Sequence, residues 1–166
     1  MEIIIRNMKK EDYQEVKKIY RTGINSHQCT FETRVPSWEE WDQAHLDICR
    51  FIAMCRDTHQ IIGFAALTPM SSRWCFRGVA EVSIYLNETS KGQGIGTCLL
   101  MKLIRESEKH GIWSLYSGIF PENTASIKLH EKCGFRFVGV REKLGEDYKG
   151  TYRDVVFYER RSIIVG

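Results

Sequence analysis

Apolar residues recur along the chain at two spacings, and each change of spacing marks a new element. The run from Glu2 to Asn7 is short and β-rich, whereas Tyr13, Val16, Ile19, Tyr20 and Ile24, within Glu11 to about Ile24, fall on one face of a helix. Ser37 and Glu40 form the S-x-x-E pair that satisfies free N–H groups at a helix start. A second helix is therefore expected after Pro36, with Trp38, Trp41 and Leu46 toward a core or pocket. Phe51–Arg56 and Ile61–Leu67, joined by the polar turn Asp57–Gln60, read as an antiparallel hairpin, and Val79–Leu86 as another strand. From Ile95 to His110, Leu99, Leu100, Leu103 and Ile104 share one side of a helix that stops at Gly111, a suitable left-handed cap. Ser114–Phe120 reads as a strand, Asn123–Lys132 as a helix closed by Gly134, and Phe135–Val140 and Tyr152–Tyr158 as the last two strands.

The order β-α-α-β-β-β-α-β-α-β-β mixes hairpins with single crossover helices. It predicts an α/β chain with a mixed sheet covered by helices, not a fully parallel doubly wound sheet. With 166 residues the chain can bury one core and is short for two, so a single domain over 1–166 is expected.

Composition narrows the partners. The net charge of +3 is mild, and the basic pairs Lys9-Lys10, Lys17-Lys18 and Arg160-Arg161 have acidic neighbours, which reads as a solvated face and not a nucleic-acid surface. Six cysteines lack C-x-x-C spacing, so neither a zinc site nor a redox dithiol is expected; they read as buried thiols in a reducing compartment. The start of the chain lacks the basic and apolar regions of a secretory signal, and Ile61–Leu67 is far short of the ~20 residues of a spanning helix. No membrane partner is expected, and the cytoplasm is the expected location.

Lys91-Gly92-Gln93-Gly94-Ile95-Gly96-Thr97 lies between a strand and a long helix, where free N–H groups and the helix dipole favour an anion. The glycines could also serve only a tight turn. The dinucleotide pattern G-x-G-x-x-G fails, because counting from Gly92 reaches Thr97 and from Gly94 reaches Leu99; the Walker A pattern fails because no Gly-Lys-Ser or Gly-Lys-Thr occurs. Spacing alone leaves the ligand open.

Lys91 to Gly96 resembles the Arg/Gln-x-x-Gly-x-Gly/Ala pyrophosphate loop of the GNAT acetyltransferase superfamily. Ser117-Gly118-Ile119-Phe120-Pro121-Glu122-Asn123, followed by Ala125-Ser126 and Leu129-His130-Glu131-Lys132-Cys133-Gly134-Phe135, is similar to that family's second cofactor segment. The similarity runs from about Ile3 to Arg161 and includes Thr30-Phe31-Glu32-Thr33, Ala80 to Tyr85 and Arg153-Asp154-Val155. Within the superfamily it looks like the phosphinothricin and methionine sulfoximine N-acetyltransferase subgroup. The resemblance implies a mostly antiparallel sheet splayed at the cofactor site, a core of about 3–161, acetyl-CoA as acetyl donor, no metal, a small-molecule amine as acceptor, and a homodimer.

It also implies roles. Ile84 and Leu86 would pair through their backbone with the pantetheine arm, Lys91 to Thr97 would hold the pyrophosphate, and Asn123 and Lys132 would touch the cofactor. Amine acetylation needs a neutral nitrogen and hence a proton acceptor. Glu81, on the strand face shared with Val79, Ser83 and Tyr85, matches the subgroup's catalytic carboxylate. His130 stands where many relatives have a tyrosine acid, and its readings are pocket shape, proton relay, acid, or packing alone. Arg73-Trp74-Cys75-Phe76-Arg77 looks like the acceptor loop, with Arg73 or Arg77 for a carboxylate and Phe31, Trp74 and Phe76 as apolar walls. Acetylation of a polyamine or a protein N-terminus, and a non-catalytic acyl-CoA-binding module, stand as alternatives.

Overall fold

A computed structural model describes residues 2–166. Along the chain run β1 (Ile3–Asn7), α1 (Tyr13–Ser26), α2 (Trp38–Ala44), β2 (Phe51–Cys55), β3 (Ile61–Pro69), β4 (Val79–Leu86), α3 (Ile95–Lys109), β5 (Ser114–Ile119), α4 (Thr124–Lys132), β6 (Arg136–Glu146) and β7 (Tyr152–Arg161). The strands form one sheet in the order β1-β2-β3-β4-β5-β7-β6. Every neighbouring pair is antiparallel except β4 and β5, so the sheet is mixed and mostly antiparallel, as the resemblance implied.

The alternation of side chains along the central strands splits the interior into two layers. Phe51, Ala53, Ala65, Leu67, Ala80 and Val82 face α3, whose Leu99, Leu100, Leu103 and Ile104 are buried against them. Ile52, Phe64 and Ala66 face the other way, onto Tyr13, Val16 and Ile19 of α1 and Trp41 of α2. Helices therefore cover both faces. No helix among the described residues is long and apolar enough to cross a membrane.

Local chemistry sets the ends of these elements. Ser37 Oγ accepts from the Glu40 N–H at 3.2 Å while the Glu40 carboxylate accepts from the Ser37 N–H at 2.7 Å, the reciprocal cap expected at the start of α2. Helix α2 ends at Ala44, so Leu46 lies beyond it and not within it; the Leu46 N–H instead donates to the Leu67 carbonyl at 2.8 Å. The last hairpin is longer than its apolar pattern suggested. Strand β6 continues past Val140 to Glu146, and β7 past Tyr158 to Arg161. Since β6 is an outer strand exposed along most of its length, Arg141-Glu142-Lys143 carries no buried face and hence no period-two signal.

The side of the core under α3 is closely packed, with Leu103 fully buried. Leu103→Ala is expected to cost about 2–5 kcal/mol, the usual range for an emptied leucine site. Urea denaturation of the two proteins measures it.

Candidate active site

Strands β4 and β5 pair over three residues only, Val79 with Ser114, Ala80 with Leu115 and Glu81 with Tyr116. Past that rung they separate, although β4 stays paired with β3 as far as Leu86 and β5 with β7 as far as Ile119. The wedge between them opens into a cleft of ≈ 1270 Å³ lined by Val82 to Leu86 on one side and Ser117 to Phe120 on the other. This exceeds the ~300–1,000 Å³ of a typical single-ligand pocket, so two reactants fit side by side.

The glycine loop closes one end of the cleft. Gly92 and Gly94 have φ of +75° and +79°, left-handed values that strain any residue with a side chain. Gly94 is also the N-cap of α3 and has no side chain to satisfy the helix's first N–H groups. Nothing lies within 4 Å of the point where either glycine would carry a Cβ, so a ligand can approach the bare backbone. Uncapped donors, a helix start and open space together fit a pyrophosphate. Gly96 serves packing instead: a Cβ there would stand 3.2 Å from the side chains of Leu86 and Leu129. Lys91, Gly92, Gly94, Gly96 and Thr97 line the cleft, with Lys91 Nζ 2.5 Å from the Glu88 carboxylate. Gln93 and Ile95 do not line it; the Gln93 amide donates to the Thr89 carbonyl at 2.8 Å, and Ile95 is buried in the core.

Glu81 stands at the root of the wedge and is partly buried in the cleft wall. Burial raises its pKa, while the backbone of Gly118 and the hydroxyl of Tyr116 act in the opposite direction. Ile84 and Leu86 follow on the same strand and line the same cleft. Asn123 caps α4, its Oδ1 accepting from the Ser126 N–H at 3.2 Å, and also lines the cleft together with Lys132. The capping role and a cleft-facing position thus coexist in one residue.

His130 is 1% exposed yet borders the cleft. Its Nδ1 is 2.8 Å from the Ser126 carbonyl, which fixes the proton on that nitrogen. Nε2 is buried without a partner, and burial lowers the pKa. The resting ring is neutral and presents a lone pair from Nε2.

The opposite wall comes from several elements. Phe31 packs edge-on to Phe120 with ring centroids 4.8 Å apart, and its ring lies where Gly145 would carry a Cβ, at 2.9 Å. Leu144, Val155 and Phe157 of the β6–β7 hairpin extend this apolar wall, and the hairpin tip is tied back by His27 stacked on Tyr148 at 3.7 Å. Of the expected walls only Phe31 is in place. Arg73, Trp74, Phe76 and Arg77 do not line the cleft: Arg77 lies 3.6 Å over the Trp74 ring, Arg73 lies 5.3 Å over Phe76, and Trp74 is 75% exposed. Cation–π pairing on a short 3-10 turn, with Arg77 also 5.2 Å over Trp113, holds this segment away from the cleft. Tyr116, Leu144 and Phe157 escaped the sequence reading because strand and hairpin apolar residues look like packing, whereas Phe120 and Val155 stood in blocks of the resemblance but received no role. Their only signal is proximity to Glu81 and Phe31 in the folded chain. Among the described residues no three His, Cys, Asp or Glu side chains are grouped to hold a metal ion.

The chain matches known proteins throughout this framework. A model of the acetyltransferase (GNAT) family matches residues 12–135. The phosphinothricin N-acetyltransferase of Streptomyces coelicolor is 28% identical over 165 residues, 96% of each chain. The L-methionine sulfoximine/L-methionine sulfone acetyltransferase of Salmonella typhimurium is 25% identical over 158 residues, 93% of this chain and 92% of its own. A GNAT superfamily phosphinothricin acetyltransferase from Sinorhizobium meliloti, crystallised in complex with AcCoA, superposes with a TM-score of 0.86 at 26% identity, covering 97% of this chain and 89% of its own.

Because the folded His130 sits below its unfolded value, its contribution to stability is complete above about pH 6.5 and is lost as the pH falls toward the folded value. A nitrogen-resolved NMR titration is expected to show Nδ1 protonated and Nε2 bare at neutral pH, with His130 protonating at lower pH than an exposed histidine. Protonation of both nitrogens at pH 7 would contradict it.

Proposed function

The chain belongs to the acetyltransferase (GNAT) family, and from that membership we propose that it transfers the acetyl group of acetyl-CoA to the α-amine of a small amino acid or analogue of the phosphinothricin or methionine sulfoximine type. The observation that carries this reading is the placement of one carboxylate, Glu81, at the root of a wedge whose far end is a helix start with no side-chain cap. Acetyl-CoA supplies an activated thioester, and this chain's residues bind and orient it and manage protons.

The loop Lys91 to Thr97, with Asn123 and Lys132, holds the phosphate end, and the free edge of β4 around Ile84 and Leu86 receives the pantetheine amides as a sheet receives a strand. Glu81, desolvated enough to be a stronger base than an exposed carboxylate, takes the proton that the acceptor ammonium must lose. The neutral nitrogen then bonds to the acetyl carbon as the carbon–sulfur bond breaks. His130 fits a relay better than an acid held ready, since its Nε2 must gain a proton before it can give one to the leaving thiolate. Phe31 and the hairpin wall take the acceptor's apolar part.

With Arg73 and Arg77 outside the cleft, an acceptor carboxylate meets either a cation already on the cleft wall, such as Lys128, or the 71–77 loop after it approaches. Glu32 on the cleft wall favours a second reading, in which the acceptor is an amine without a carboxylate, such as a polyamine or a protein N-terminus. The chain is proposed as one catalytic domain over 1–166 with a core of about 3–161, working in the cytoplasm, where its six free thiols stay reduced. It is further proposed as a homodimer that covers the half-exposed Phe137, Val138 and Val140 on the outer strand β6, an edge that would otherwise invite aggregation.

Two measurements test these readings. A thiol-release screen with acetyl-CoA against amino acids, sulfoximines, phosphinothricin, peptides and polyamines should single out the amino-acid analogues, and Glu81→Gln should lower turnover about 10²- to 10⁴-fold while acetyl-CoA still binds. A wild-type rate in that variant rejects the base assignment, and cofactor binding without release for any amine leaves a binding module. Light scattering should give the mass of two copies for the wild type and of one for Val138→Lys.

A further inference from the structure

We propose that Tyr116 is the positioning residue of Glu81: from the neighbouring strand its hydroxyl donates a hydrogen bond to the Glu81 carboxylate and turns that carboxylate toward the acceptor. The proposal rests on the reading of Glu81 as the base. Glu81 and Tyr116 face each other in the last rung of the β4–β5 ladder, so their side chains leave adjacent strands on one face, about 4.8 Å apart at the backbone. Beyond this rung the strands diverge, and no later pair can make the contact. The Tyr116 ring is held from behind by Phe157, its centroid 6.4 Å away. Glu81 lines the cleft and Tyr116 does not, so the phenol acts through the carboxylate and not on the reactants.

The two groups also divide the protonation work. The Tyr116 phenol is pushed up to about 12, first by burial and then by the Glu81 charge, so it stays protonated and serves only as a donor. Burial raises Glu81, and the Tyr116 hydroxyl with the Gly118 backbone offsets part of that rise. Tyr20 on α1, Glu32 after it, His45 beyond α2, Thr68 on β3, Tyr85 on β4 and His130 on α4 face the same cleft. Arg34 is tied to Glu40 and Lys91 to Glu88, and Lys128 and Lys132 stand on α4. Cys29 points its thiol at the Gly23 carbonyl. Tyr116 thus flanks the base from β5, as Thr68 does from β3, and of the two only Tyr116 carries a phenol that can reach along the carboxylate as a donor.

The test follows the Glu81 carboxyl directly by carbon-13 NMR, its signal identified by its loss in Glu81→Gln, alongside the pH profile of kcat/KM for the acceptor. In Tyr116→Phe the carboxyl midpoint and the acid limb of the profile are expected to move together to higher pH, so that activity is lost mainly on the acid side, while KM for acetyl-CoA is unchanged. Replacing Tyr116 by 3-fluorotyrosine, a stronger donor of nearly the same shape, should move both to lower pH, which separates donation from packing even if the phenylalanine variant folds poorly. A carboxyl midpoint that is the same in all three proteins overturns the proposal, whatever Glu81→Gln does. A shifted midpoint with wild-type turnover in Glu81→Gln preserves the contact but removes the base reading, and with it the catalytic purpose assigned to Tyr116.

Discussion

The site depends on a single shortfall of pairing. Strand β4 is bonded to β3 from Ala80 to Leu86 and β5 to β7 along its whole length, yet β4 and β5 share only three rungs. The outer pairings hold each strand in its own half of the sheet, and the twist that accumulates across a sheet then separates the halves. Backbone groups that a continuous sheet would satisfy internally are left facing a cleft. Such groups are costly to bury unpaired, and the amide-bearing arm of an acyl carrier is one of the few small molecules that can pair with them.

The same divergence explains why the chemistry collects where it does. Glu81 is on the last rung, paired with Tyr116 of β5 and on the wall of the opening, the place that both proposals for it require. The start of α3 follows β4 through the loop Lys91 to Gly94, and α4 follows β5 through Pro121 to Asn123, so both helix starts border the cleft between the strands they continue. In the proposed reaction, charge binding, backbone pairing and proton transfer thus use three levels of one opening.

Much of this was legible in the sequence because it is local. The reciprocal cap Ser37–Glu40, the apolar side of α3 and the glycine spacing at 92, 94 and 96 are written in consecutive residues, and so each could be assigned its element. What could not be read is what depends on distance along the chain. Tyr116 meets Glu81 across 35 positions, and Phe31 meets Gly145 across more than a hundred; nothing in the neighbourhood of either residue announces its partner. The segment Arg73 to Arg77 shows the converse. Its arginines and aromatic residues suggest a binding loop, but the same residues pair with one another, and the structure holds them apart from the cleft.

The contact between Phe31 and Gly145 joins the proposed acceptor wall to the outermost hairpin, because the ring occupies the space that a side chain at 145 would need. Enlarging or reshaping that wall is therefore not a one-residue affair. A smaller residue at 31 frees the space that a side chain at 145 needs, and a larger residue at 145 must otherwise push the Phe31 ring aside. With Phe31 as the proposed acceptor wall, changes of acceptor range are coupled steps, in which the order of substitutions at 31 and 145 decides which routes remain passable.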